Sequence, residues 1–489
     1  MPSYSTPGVY IEEIPVFPPS VAPVATAIPV FIGYTEKAVG KQGEDLTRVA
    51  IRITSLLEYE TYFGKAPLQD MSIKITKRVT SGGGLLGVKV EWDGTKPTVP
   101  ANFMHYSMQL FYANGGGPCY VYSLGGHGTA ANKDHFANAF LALEAVDEPT
   151  LLVFPDSVKL SDDNHGSVVD AALTTCNKTQ DRFTIADVRN AVVNGTDDNA
   201  KVTTNFRAKV TKNAVDFVKY GAAYFPYIHT NVPFRTEDGN VTMKTFDVVT
   251  VANDGTEATA PLAAAVNKKL NDATADIANK ETAAYAAISS FLAEAYVTVP
   301  PSGAVAGVYA RVDRSRGVWK APANVGVSLA ISPAVKVTND LQDGLNIDAT
   351  TGKSVNAIRA FFGKGTLVWG ARTLAGNDNE WRYVNVRRFV NFVEESVGKT
   401  INAFVFEPND ANTWVKVRTM IENFLIIQWR DGALVGAKPE HAFRVVVGLG
   451  QTMSAQDILN GYMIVEVHIA VVRPAEFIVL RFMHKMPES

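Results

Sequence analysis

Two short stretches set a lysine between a glycine and a hydroxyl residue, Gly352-Lys353-Ser354 and Gly398-Lys399-Thr400, as the closing end of a phosphate-cradling loop does. Such a loop wraps the phosphates in backbone N–H groups and needs a further glycine five positions earlier. Ile347 and Val393 stand there instead, so neither stretch reads as a nucleotide site. The runs Gly82-Gly83-Gly84 and Gly115-Gly116-Gly117 lack G-x-G-x-x-G spacing at a strand-to-helix junction and read as tight turns. No G-x-S-x-G nucleophile elbow occurs.

Metal and acid–base chemistry are equally thin. The histidines, His105, His127, His135, His165, His229, His441, His468 and His484, contain no H-E-x-x-H or H-x-x-x-H pair. His127 and His135 could share a metal only through folding. Carboxylate pairs such as Glu12-Glu13 and Asp162-Asp163 are adjacent in sequence, so their side chains diverge. Cys119 and Cys176 lie outside any C-x-x-C spacing and cannot staple a chain of this length. The residues therefore predict no site for bond-making chemistry, no metal and no cofactor: the chain reads as a non-enzyme.

The scaffold that would position such residues has 489 of them, room for about three domains. Hydrophobic residues make up 46% and charged residues 19%, which argues against disorder. With 46 Lys and Arg against 49 Asp and Glu, the net charge is −3. That leaves little long-range steering toward phosphates, so no nucleic-acid partner is expected, and it leaves self-association unopposed. The cysteine usage fits a reducing cytosol. The N-terminal MPSYSTPGVYIEEIPVFPPS lacks a signal-peptide pattern, and no apolar run approaches the ~20 residues of a membrane span, so direct membrane insertion is not expected.

Charge is uneven along the chain. Residues 1–150 carry −3, 151–300 carry −4, 301–400 carry +5 and 401–489 carry −1. The basic core, Ala310-Arg311-Val312-Asp313-Arg314-Ser315-Arg316-Gly317-Val318-Trp319-Lys320, reads either as a solvated turn or as a surface that meets an acidic partner.

Seven prolines among the first 29 residues exclude helix and leave an extended, apolar arm with strand pieces such as Gly8 to Ile14. Beyond it the rhythm is α/β. Phe136, Phe140, Leu143 and Val146 place a helix over 134–146, and Pro149-Thr150-Leu151-Leu152-Val153-Phe154-Pro155 reads as a buried parallel strand. Residues 187–260 are polar and weakly periodic, as in an inserted surface domain. Residues 261–295 are Ala-rich and predict one long helix, stopped by Pro300 and Pro301. Toward the end, Val386, Phe389, Val390, Val393 and Val397 form a helical face, 401–407 reads as a strand, and Trp414, Val417, Ile421, Phe424, Leu425 and Trp429 line a helix over 411–429 behind Asn409, Asp410 and Thr413. Two strands, 463–472 and 476–485, close the chain. Phe477 to Lys485 is apolar on both faces, and an edge strand of that kind associates unless it is paired.

Several motifs in order resemble one family. Tyr4-Ser5-Thr6-Pro7-Gly8-Val9-Tyr10-Ile11-Glu12-Glu13, Pro300 to Arg311 running on through Gly317-Val318-Trp319-Lys320-Ala321-Pro322-Ala323-Asn324, Arg372-Thr373-Leu374, Asn385-Val386-Arg387-Arg388 and Pro474-Ala475-Glu476-Phe477-Ile478-Val479 are similar to contractile tail sheath proteins. The resemblance covers the N-terminal arm and residues 300–489; 187–260 match nothing.

The resemblance implies a mixed α+β (α/β) fold whose inner domain joins the N-terminal arm to the C-terminal region, with outer α/β domains inserted between. The corresponding division is an arm for strand exchange at 1–29, an outer or middle domain at 30–186, an inserted variable domain with the Ala-rich helix at 187–300, and the conserved sheath domain at 301–489 ending in an exchange strand. It implies a subunit that polymerises as stacked hexameric rings around an inner tube protein and contracts to drive the tube through a target envelope. Baseplate and terminator or cap proteins would be further partners. Val9, Tyr10, Ile11, Glu12 and Glu13 at one end, and Phe477, Ile478, Val479, Leu480 and Arg481 at the other, would exchange strands between subunits. Lys416 and Arg418 on the helix 411–429, or Gln456 and Asp457 on a short helix at 454–459, would meet the tube. Assembly in the bacterial cytoplasm and release within a phage-tail-like particle follow. The competing reading is a cytoplasmic α/β enzyme that grips an anionic substrate at 311–320.

Overall fold

A computed structural model describes residues 21–189 and 198–481. They divide into two compact units, one within 25–388 and the other made of 21–24 with 389–481.

The larger unit is organised by a nine-stranded sheet: β1 (Pro29–Thr35), β2 (Ala50–Ile53), β3 (Cys119–Gly126), β4 (Leu151–Val153), β5 (Phe183–Asp187), β6 (Gly221–Phe225), β7 (Val325–Gly326), β8 (Val355–Phe361) and β9 (Gly365–Val368). Its order is β7-β9-β8-β6-β5-β4-β1-β3-β2. The six strands from β8 to β3 run parallel, and antiparallel strands finish each edge. Every residue of β1, β4, β5 and β6 is buried, the signature of a parallel sheet covered on both faces.

Two helices pack across this core. α1 (Met104–Ala113) and α2 (Ser302–Arg316) meet backbone to backbone where α2 carries Gly303 and Gly307. A Cβ at Gly303 would lie 2.6 Å from the Ser107 carbonyl oxygen, and one at Gly307 would lie 2.4 Å from that of Phe111. No side chain fits at either position. A second, five-stranded sheet has the order 257–261, 241–251, 71–80, 85–92, with Lys268–Lys269 paired to 241–251 as its fifth strand, and the helix Thr282–Ala293 covers it, with Phe291 against Trp92 at 4.7 Å. Three short strands, Tyr296–Val299, Ile228–Pro233 and Ala330–Pro333, form a third sheet.

In the smaller unit, α3 (Val384–Ile401) contributes its residues from Phe389 onward, beside α4 (Ala411–Arg430), a short α5 (Ala455–Leu459) and a hairpin-like pair, Phe443–Val447 with Val465–Ile469. Phe392 packs on Phe424 at 5.8 Å. Val24 is tied in by its N–H, which donates to Ser396 Oγ at 3.1 Å. Asp410 caps α4 by accepting from Thr413 N at 2.9 Å.

Several sequence-based expectations differ from what folds. The long Ala-rich helix over 261–295 is broken into Ile277–Lys280 and Thr282–Ala293, after a strand that ends at Pro261. Polar turns win locally: Asp272 accepts from Thr274 N at 2.8 Å, and Asn267 and Asp276 adopt positive φ. The strand expected at 401–407 is the last turn of α3 followed by a 3-10 turn, Asn402–Phe404. No described strand lies beside it to pair with. The polar segment 187–260 contributes β6 and two further strands rather than standing apart. The nine-stranded sheet takes strands from both sides of the borders drawn at 186/187 and 300/301, so those borders do not coincide with the units. Last, the strand expected at 476–485 is irregular rather than a strand over its described part, up to Arg481.

Candidate assembly surface

An open parallel sheet places its ligand crevice at the carboxyl ends of the strands, where the chain reverses its direction of spread. Here that point is β1, with β3 on one side and β4 on the other. Asp156, three residues beyond β4 and fully buried, accepts from Tyr34 N at 2.9 Å and from Phe103 N, at the start of α1, at 2.7 Å. Burial raises its pKa. The chain thus puts its own carboxylate on the helix N-terminus that would hold a bound phosphate in a nucleotide-binding protein. One strand further, Asp187 accepts from Ser302 N at the start of α2, 2.9 Å away, and burial pushes its pKa to about 7. His165 Nε2 lies 2.9 Å from the Asp187 carbonyl oxygen, and burial lowers this histidine to about 4.

The basic segment 311–320 is the C-terminal half of α2 and the turn after it; three of its four cations bond to backbone carbonyls, and Arg316 is exposed. Arg311 donates to the Gly326 carbonyl at 2.5 Å, Arg314 to Gly115 at 3.3 Å and Lys320 to Ala321 at 2.9 Å. Asp313 faces inward to Arg388 in a buried bidentate pair, 3.0 and 2.5 Å. Thr26 Oγ1 donates to the same carboxylate at 2.7 Å, Arg388 reaches the Thr26 carbonyl at 2.8 Å, and its guanidinium lies 4.6 Å over the Tyr309 ring. Thr26 and Arg388 stand at the two chain ends of the larger unit, so one cluster fastens both. Lys353, which had suggested a phosphate loop, is buried and donates to Val210 O at 2.7 Å and Asn213 Oδ1 at 2.5 Å. Lys399 pairs with Glu395 on its own helix at 2.7 Å. His135 Nδ1 is 3.0 Å from Tyr34 OH, and among the described residues no group of three metal-ligating side chains forms.

The surface positions named from the resemblance fall in the smaller unit. Val9, Tyr10, Ile11, Glu12 and Glu13 lie outside the described residues. Phe477, Ile478, Val479 and Leu480 are 71, 79, 77 and 74% exposed, and Arg481 is exposed beside them. Four consecutive large apolar side chains in water are unusual for a protein surface. Lys416 and Arg418 are exposed on α4, where Arg418 meets Glu422 at 3.5 Å. Gln456 donates to Asn460 at 3.1 Å, and Asp457 is engaged in a capping box with Ser454 at the head of α5. The fold joins the α4 and α5 regions through Asn409, which donates to the Tyr462 carbonyl at 2.9 Å. Sequence reasoning missed the Asp156 and Asp187 caps and the Asp313–Arg388 pair. A Pro-Asp after a buried strand and an arginine on an otherwise apolar helix face were their only signals.

The described residues form an α/β scaffold that fills its own crevice and leaves an apolar tail exposed. Comparison with known proteins gives its family. The model of the phage tail sheath C-terminal domain matches residues 376–484. The tail sheath protein of Burkholderia phage BcepMu is 30% identical over 144 residues, covering 28% of this chain and 30% of the phage protein. That of Enterobacteria phage T4 is 28% identical over 130 residues, 26% of this chain and 19% of the relative. The helical sheath of the anti-feeding prophage in its contracted state is 30% identical with a TM-score of 0.62, covering 99% of this chain and all of that one. The sheath complex of the PVC extracellular contractile injection system, also contracted, is 29% identical with a TM-score of 0.61, covering 99% of each. The chain belongs to the contractile tail sheath family.

Proposed function

We propose that this protein is the sheath subunit of a phage-tail-like contractile injection particle. Its copies stack as hexameric rings around an inner tube, held between a baseplate and a terminator or cap, and contraction drives the tube through a target envelope. The observation that carries this reading is the end-to-end likeness to the contracted helical sheath of the anti-feeding prophage. The exposed apolar tail at 477–481 supports it, because head-to-tail exchange uses a segment that can pair as a strand with a neighbouring copy. The arm at 9–13 is its counterpart at the other end.

Energy for contraction comes from conformation rather than catalysis. An extended sheath held by its baseplate is a metastable arrangement, and release lets subunits bury more surface against one another without nucleotide. No enzymatic step, cofactor or nucleic acid enters this scheme. Lys416 and Arg418 on α4, or else Gln456 and Asp457 on α5, meet the tube. The particle assembles in the bacterial cytoplasm and is released with it; no described helix is long and apolar enough to cross a membrane.

Negative-stain microscopy of the purified protein tests the reading. Striated tubes or rings are expected, and a monodisperse small oligomer at all concentrations and salts overturns it. Deleting residues 1–20 or 477–489 should abolish the tubes and leave a folded monomer. Tubes that persist in both truncations remove strand exchange from the scheme. Reversing charge at Lys416 and Arg418 should lower the yield of sheath on tube, and an unchanged yield moves the tube contact to α5.

A further inference from the structure

Residues 21–28, the described root of the N-terminal arm, belong to no strand and run irregularly into β1, with Ala22, Pro23 and Ala25 exposed. A stretch without ladder bonds has little of its own to fix where it lies, and Pro23 and Pro29 offer no N–H at all. Neutral bonds hold it at two places. Thr150 Oγ1 accepts from Ile28 N at 3.0 Å and donates to the Thr26 carbonyl at 3.0 Å, and Val24 N donates to Ser396 Oγ at 3.1 Å. The charged bonds gather on Thr26. Its hydroxyl donates to Asp313 Oδ2 at 2.7 Å, and its carbonyl also accepts from Arg388 Nη2 at 2.8 Å. Asp313 lies in the last turn of α2 and Arg388 in the early turns of α3, and their side chains are 6 and 2% exposed. Thr26 is the second residue of the larger unit and Arg388 its last, so one carboxylate holds both places where the chain reaches the limits of that unit.

A buried pair of this kind contributes little net stability. Taking two charges out of water costs about what their attraction returns, and apolar residues of similar volume often serve as well or better. What the pair supplies is direction: a bidentate fork fixes one arrangement of three segments that apolar contact would leave free to shift. We propose that Asp313 and Arg388 are positioning residues for assembly, which pin the root of the arm to the root of α3 so that the strand-exchange residues 9–13 start from one fixed point. This goes beyond the sheath reading, naming residues outside the exchanging strands, and rests on it. Glu13 stands 13 residues before Thr26, so the chain can carry it no farther than about 45 Å from the pin. With the pin gone, the root is left to the neutral bonds at Thr150 and Ser396, each of which opens at small cost. A partner that pulls on the arm then draws on β1, a buried strand inside the sheet, instead of on α2 and α3.

The double variant Asp313→Leu, Arg388→Met removes both charges together and leaves neither stranded, so its Tm should equal or exceed that of wild type. Ala25→Cys, introduced into both backgrounds, carries a spin label, since Ala25 is exposed and native Cys119 and Cys176 are buried. The label should be held in the wild-type background and move freely in the double variant, and tube yield from the double variant should fall by about tenfold or more. Thr26→Val, which removes the hydroxyl and leaves the ion pair in place, should give an intermediate loss of yield at wild-type Tm. A label equally held in both backgrounds overturns the pin, and a freed label with wild-type tube yield overturns its part in assembly. If the double variant does not fold, Thr26→Val decides alone: wild-type label motion or wild-type yield in it overturns the proposal. Loss of tubes confined to the variants leaves the sheath reading standing, whereas wild-type protein that forms no tubes at all overturns both.

Discussion

Burial sets the charge of Asp187. Its carboxyl is fully enclosed at the end of β5, and desolvation outweighs the help it receives from Ser302, so the pKa is pushed up to about 7 against an ordinary 3.8. The sign of the consequence is fixed by proton counting. Between those values the folded chain holds a proton that the unfolded chain has released, so stability falls as pH rises through that window. The contribution is complete below the unfolded value and is lost as pH passes about 7, a swing on the order of 4 kcal/mol at most for a shift of this size. Asp187→Asn keeps an acceptor for the Ser302 N–H and removes the titration. The difference in Tm between variant and wild type should therefore grow in the variant's favour from pH 5 to pH 8. A difference that stays flat across that range would show that Asp187 is ionised throughout. The Asp313–Arg388 pair makes the opposite case: each charge is buried with its partner in place, so removing one alone would strand the other.

At the scale of elements, the α1–α2 contact rests on what is missing from α2. Gly303 and Gly307 are one helical turn apart, and the carbonyl oxygens of Ser107 and Phe111 occupy the space a methyl group would need. Gly307→Ala gains helix propensity worth about 1 kcal/mol but forces the backbones apart, and overpacking of that kind costs typically 1–3 kcal/mol. A net loss of stability is expected, read as a lower urea midpoint with an unchanged slope. A raised midpoint would mean that α1 gives way freely. This contact also marks how far the sequence could be read. The Leu151–Val153 strand, the helix over Phe136 to Leu143 and α4 with its Asp410 cap were legible because apolar period and capping chemistry agree there. The Ala-rich stretch misled because propensity is a weak local bias and Asn267, Asp272 and Asp276 offered the backbone better turns. Residues 401–407 misled differently: alternation marks a strand only if a neighbouring strand exists. The tail's exposure was foreshadowed by its two apolar faces. Asp156 and the Thr26–Asp313–Arg388 cluster were hidden, because they join positions far apart in the chain.

The whole molecule separates folding from assembly. Every strand of the nine-stranded, five-membered and three-stranded sheets lies between Pro29 and Val368, and both ends of that body close on one ionic cluster, Thr26 with Asp313 and Arg388. The smaller unit is the reverse: it has one two-stranded sheet, which alone is marginal in water, and it carries the exposed tail and the strained Phe406. The near-neutral total charge of −3 leaves such a molecule free to meet its own copies. A chain limited to residues 25–388 should therefore melt cooperatively and sediment as a monomer at concentrations where the full chain forms tubes. Calorimetry and analytical ultracentrifugation check the two halves of that expectation. Failure to fold would mean that the larger sheet depends on the smaller unit. Tubes from 25–388 alone would place the assembling surface in the larger unit and remove the tail from that role.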